Sequence, residues 1–77
     1  MRKTYSLAQQ AYLKKFAKKV RAFRKEAGFS QETLAHKSYL DRSYMGEIER
    51  GEKNVSILTL LKVAKALNSP SSKFLEI

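Results

Sequence analysis

The chain has 77 residues, with 16 Lys and Arg against 7 Asp and Glu, a single His and no Cys. A chain of this length forms one domain that buries roughly 60% of its unfolded surface, and without Cys it has neither disulfides nor thiolate metal sites. Its net charge of +9 calls for a polyanionic partner, nucleic acid before an anionic membrane surface.

Uninterrupted apolar runs are only a few residues long, which excludes a transmembrane span and a signal-peptide core and makes the expected location cytoplasmic. His36 has no second His or paired carboxylate at ligand spacing. Zinc needs three or four ligands, so no metal site is expected, and no cofactor. The positive charge is concentrated near the start. Residues 1–28 hold nine basic groups against the single acid Glu26, whereas residues 29–50 hold three basic and four acidic groups. The early excess is either a solvated helix face or a source of long-range attraction to phosphate.

Five helices and no strand are expected. Leu13, Phe16, Val20, Phe23 and Ala27 recur at steps of three and four, an apolar stripe on a basic helix one that Gly28 ends. Residues 1–12 form a basic extension that can be helical and continue this helix backward, while 13–77 form the domain proper. Ser30 has the chemistry of an N-cap, and Gln31, Glu32 and Thr33 open a short helix two with Leu34 and Ala35 inward. Asp41 caps helix three, whose inward residues are Met45 and Ile48 and whose end is Gly51. Two short helices around one break have helix-turn-helix spacing. Ser56 caps helix four, with Ile57, Leu60, Leu61, Ala64 and Leu67 as its apolar face. Ser69 and Pro70 then start a short fifth helix as cap and first helical residue.

Helix three decides the functional reading. With Met45 and Ile48 inward, Arg42, Ser43, Glu47 and Tyr44 lie on the opposite side or toward its N-terminal end. These side chains can reach base edges: Arg is bidentate to guanine, Ser donates or accepts, and a Tyr ring packs on a thymine methyl or bonds a phosphate. A solvated surface helix could carry the same residues. The basic balance and the two-helix spacing turn the choice toward DNA.

The segments "RKEAGFSQETLAHKS", "LDRSYMGEIERG" and "NVSILTLLKVAKAL" occur in register. Together they resemble the Cro and phage-repressor type of helix-turn-helix domain, XRE-like, and within it the controller proteins of restriction-modification systems. The resemblance covers residues 13–75. It implies an all-α, compact five-helix bundle of the lambda-repressor-like helix-turn-helix type. By the same resemblance Arg42, Ser43, Tyr44 and Glu47 face the major groove and Gln31 binds DNA phosphate. Lys53 and Asn54 lie along the backbone, and Arg50 is either a phosphate-facing or a plain solvated charge. Arg24 and Glu49 match an architectural pair between helices one and three.

Two positions depart from the pattern. Tyr39 stands where related domains often place Gly or Asn in the left-handed conformation, which strains a bulky residue by about 1 kcal/mol. Gly46 lies inside helix three, where Gly costs about 1 kcal/mol relative to Ala. A close approach to DNA or to a neighbouring helix would account for it, and so would drift.

The function expected is that of a transcriptional regulator binding a specific double-stranded DNA site, a restriction-modification controller acting as a homodimer on a palindromic operator. Its partners are double-stranded DNA, a second copy of itself and, for an activator, RNA polymerase. The expected dimer surface is Leu58, Phe74, Leu75 and Ile77, with the alternative that Phe74 and Leu75 close the core over helix one. An antitoxin of the same fold is the competing function. A membrane binder is disfavoured because the stripe of helix one is needed for the core, and an enzyme because no nucleophile–base pair, metal cluster or glycine-rich phosphate loop is present.

Overall fold

The structure, a computed structural model, describes residues 5–75. Its first helix, α1 (Leu7–Glu26), begins at a reciprocal cap. The Ser6 hydroxyl accepts from the Gln9 N–H at 3.1 Å, and the Gln9 side-chain oxygen accepts from the Ser6 N–H at 2.8 Å. Two orphan donors of the first turn are thereby satisfied, and residues 7–12 become the opening turns of α1. Helices α2 (Gln31–Lys37), α3 (Arg42–Glu49) and α4 (Ile57–Ala66) start on Ser30, Asp41 and Ser56, whose side chains accept from Thr33, Ser43 and Thr59 N–H. These are three of the four caps the sequence predicts.

Each helix stops in the same way. Gly28, Tyr39, Gly51 and Asn68 adopt positive φ of 78°, 58°, 73° and 54°. The residue after each one donates to a carbonyl five positions back: Phe29 to Arg24, Leu40 to Ala35, Glu52 to Glu47 and Ser69 to Ala64, at 2.9–3.0 Å. This is the Schellman closure. Gly and Asn enter the left-handed region readily, whereas Tyr39 enters it against the steric preference of its Cβ.

Packing brings α2 against α3 and α4, and α1 against α3. The core comprises Phe16, Val20, Leu34, Ala35, Met45, Ile48, Leu60, Val63, Ala64, Leu67 and Phe74. The face of α4 differs from the expected one: Val63 is fully buried, while Ile57 and Leu61 are 67% and 47% exposed. The helix is apolar on more than one side, and its crossing with α2 selects the side that goes in.

The fifth helix is not an α-helix. Ser71–Phe74 forms a single 3-10 turn, so the described residues contain four α-helices rather than five. Ser69 does not cap it; its hydroxyl donates to the Leu67 carbonyl at 3.3 Å, and Pro70 is the extended residue before the turn. The tighter turn carries Phe74 into the core within four residues. There its ring meets Phe16 at 6.0 Å and Phe23 at 5.2 Å between centroids, both edge to face. Burying a Phe contributes about 1.5–3 kcal/mol, and edge-to-face aromatic pairs add about 0.5–1.5 kcal/mol each. Phe74 is 0% exposed and is therefore removed from the expected dimer surface; the alternative, that it closes the core over helix one, holds. Leu75, 54% exposed, stays outside. Ile77 lies outside the described residues.

Candidate nucleic-acid interface

The surface around α3 is organised by a buried ion pair. Glu49, 1% exposed, sits on the inner side of the last turn of α3. Arg24 Nε and Nη2 donate to its two carboxylate oxygens at 2.7 and 3.0 Å, and Arg24 Nη1 donates to the Phe29 carbonyl at 2.9 Å. Gln31 Nε2 donates to Glu49 Oε1 at 3.1 Å, and Arg21 donates to the Glu49 carbonyl oxygen. One carboxylate therefore joins α1, the start of α2 and the end of α3, which sets the orientation of α3 on the domain. A bidentate, multiply hydrogen-bonded carboxylate tolerates burial; a lone one does not.

With its inner face so held, α3 turns the predicted reading residues outward unequally. Arg42 and Ser43 are exposed in its first turn, where the Ser43 N–H is tied to the Asp41 carboxylate at 3.0 Å. Tyr44 is half-buried and packs against the core, leaving only part of its ring outside. Glu47 is half-buried, and its carboxylate lies 4.0 Å from Lys53 Nζ. That contact is a long, screened surface pair.

The predicted phosphate-contact residues fall in two places. Lys53 and Asn54 are exposed in the loop after α3. Gln31 lies at the seam of α2 and α3, with one amide N–H committed to Glu49. Arg50 is at the end of α3 with its Nε 3.1 Å from Glu52 Oε2. The hydrogen bond and charge of Glu52 raise the Arg50 pKa further above its ordinary value, so this guanidinium stays charged at any physiological pH. Two features escaped the sequence reading: the tie from Gln31 to Glu49, and the place of Gly46, which faces Arg50 and Gln31. The i, i+4 spacing of Gly46 and Arg50 was the one local signal of the second.

Apolar side chains lie open on α4 and beyond. Leu58 is 64% exposed, and Leu61 follows it one turn on. Ile57 and Leu75 share a groove with Tyr5, Tyr12 and Leu13 of the N-terminal part. Among the described residues no group of His, Asp or Glu could hold a metal ion, and no helix is long and apolar enough to cross a membrane.

Such a site is a helix presented on a fixed scaffold, and the Helix-turn-helix family profile matches residues 20–74. The chain belongs to the helix-turn-helix family, one of transcriptional regulators and not of enzymes. Among proteins it is similar to, the control protein C.SmaI of Serratia marcescens is 48% identical over 77% of this chain and 70% of its own length. The control protein C.BamHI of Bacillus amyloliquefaciens is 45% identical over 68% of this chain and 65% of its own. The crystal structure of the restriction-modification controller protein C.AhdI from Aeromonas hydrophila superposes with a TM-score of 0.82 at 48% identity, covering 83% of this chain and 97% of that one. The sequence resemblance to controller proteins is thus borne out.

Proposed function

We propose that this protein is a restriction-modification controller, a cytoplasmic regulator that binds a palindromic double-stranded DNA operator as a homodimer. The observation that carries the reading is the outward first turn of α3, with Arg42 and Ser43 free at the surface, in a chain 48% identical to controller proteins. In this reading α3 enters the major groove, Arg42, Ser43, Tyr44 and Glu47 read base edges, and Gln31, Arg50, Lys53 and Asn54 hold the backbone on either side.

One short helix reads only a few base pairs. A twofold pair of domains with half-sites about one helical turn apart supplies the rest of the specificity. The exposed Leu58, Leu61 and Leu75 are the apolar side chains from which the dimer surface is built in this reading.

The test is selection of duplexes from a random pool by the purified protein, followed by titration and sedimentation of the complex. Enrichment of an inverted repeat bound by two copies supports the reading. Equal affinity for selected and scrambled duplexes rejects it.

A further inference from the structure

Gly46 is the one glycine of the chain inside a helix, and its backbone does not explain it, because it is not among the positive-φ residues. In that setting Gly forgoes about 1 kcal/mol of helix stability relative to Ala. The explanation lies in what a side chain there would meet. A Cβ on Gly46 would stand 3.1 Å from Arg50 Nη1, 3.9 Å from Arg50 Cζ and 3.7 Å from Gln31 Oε1.

The Arg50 side chain therefore folds back one turn along α3, and its guanidinium lies over the bare backbone of Gly46 in the seam beside Gln31. Its other edge is held as well, by Glu52 Oε2 at 3.1 Å from Nε. Gln31 is itself fixed by its bond to Glu49. With 57% of its side chain still open to solvent, Arg50 combines a defined direction with access to a ligand.

We propose that Gly46 is a positioning residue for Arg50: by lacking a side chain it seats the guanidinium in the α2–α3 seam, aimed at a phosphate oxygen of the bound DNA. The gain is pre-organisation. A long, flexible side chain that is already oriented loses less freedom when its planar fork bonds a phosphate. The inference rests on the DNA-binding reading above, and it adds a residue that touches no DNA itself.

A double-mutant cycle tests it. Wild type, Gly46→Ala, Arg50→Ala and the double variant are titrated against the duplex selected by the wild type, with thermal melts alongside. The atom the added Cβ crowds is the far end of a flexible side chain that can give way, and Ala is the better helix former, so Gly46→Ala melts at or above the wild-type temperature. Its DNA affinity falls about tenfold, as expected when a charge-assisted hydrogen bond is misdirected. In the Arg50→Ala background the same substitution changes affinity less than about twofold, because no guanidinium remains to be displaced.

Equal losses in both backgrounds would mean that Gly46 itself approaches DNA, and no loss in either would mean that the gap is unused; both overturn the proposal. Arg50→Lys supplies a second readout, keeping the charge without the fork. Reduced affinity with an unchanged salt slope supports the positioned guanidinium, whereas wild-type affinity shows that charge suffices and overturns it. The wild-type titration decides the DNA-binding reading separately, before the cycle is compared.

Discussion

Arg24 and Glu49 meet across α1 and α3 through two hydrogen bonds of 2.7 and 3.0 Å, with the carboxylate 1% exposed and the guanidinium side chain 13% exposed. The pair locks the outward helix to the scaffold, so its loss acts on stability before recognition. Glu49→Ala strands Arg24 and frees Gln31 from its acceptor, and is expected to destabilise the domain by about 3–5 kcal/mol, the range for breaking a buried pair. Urea melts measure it. A variant that melts like wild type yet fails to bind DNA would place Glu49 on the recognition surface instead.

Tyr39 is the exception among the four left-handed residues that end the helices, and the residue is 87% exposed. No burial offsets its strain. Tyr39→Gly is expected to raise stability by about 1 kcal/mol, equivalent to roughly 4–8 °C in Tm for a domain of this size. Calorimetry decides it, and an unchanged or lower Tm would show that the exposed ring stabilises the fold.

Lys53, in the loop after α3, pairs only loosely with Glu47 at 4.0 Å. As a phosphate contact it adds counterion release without sequence preference. Lys53→Ala is expected to weaken binding to all duplexes alike and to lower the salt slope by about one unit. Titrations at several salt concentrations check this, and an unchanged slope removes Lys53 from the contact surface.

Arg42 is exposed in the first turn of α3. Its forked donor suits guanine O6 and N7, so Arg42→Ala should cost ~1–3 kcal/mol on the preferred duplex and flatten preference at one base pair per half-site. Wild type and variant are compared on the operator and on each single-base change. Full preference retained at every position would pass the reading role to Ser43, Tyr44 or Glu47.

Leu58 lies 64% exposed on α4, clear of the monomer core. If it belongs to the dimer surface, Leu58→Glu places a charge in an apolar contact, and the protein should sediment as a monomer with unchanged helicity. A dimer that persists at wild-type affinity would move the interface elsewhere.

Much of this architecture is written locally. Ser30, Asp41 and Ser56 start helices, and Gly28 and Gly51 end them, because a cap depends on backbone groups within four or five residues of it. The Ser6–Gln9 cap was equally local, and the S-x-x-Q spacing that announces it is in the sequence, though the start of helix one was not read from it. The outward placement of Arg42 and Ser43 follows from the period of a helix once Met45 and Ile48 face inward.

What the tertiary structure decided is whatever depends on partners distant in sequence. Phe74 is core rather than surface because Phe16 and Phe23 of α1 receive its ring. Val63 goes in, and Ile57 and Leu61 stay out, because an apolar helix offers several faces and only its neighbours choose among them. The bond from Gln31 to Glu49 and the seat of Arg50 beside Gly46 arise where α2 crosses α3. Periodicity specifies which residues share a face. The crossing of the helices fixes what that face meets.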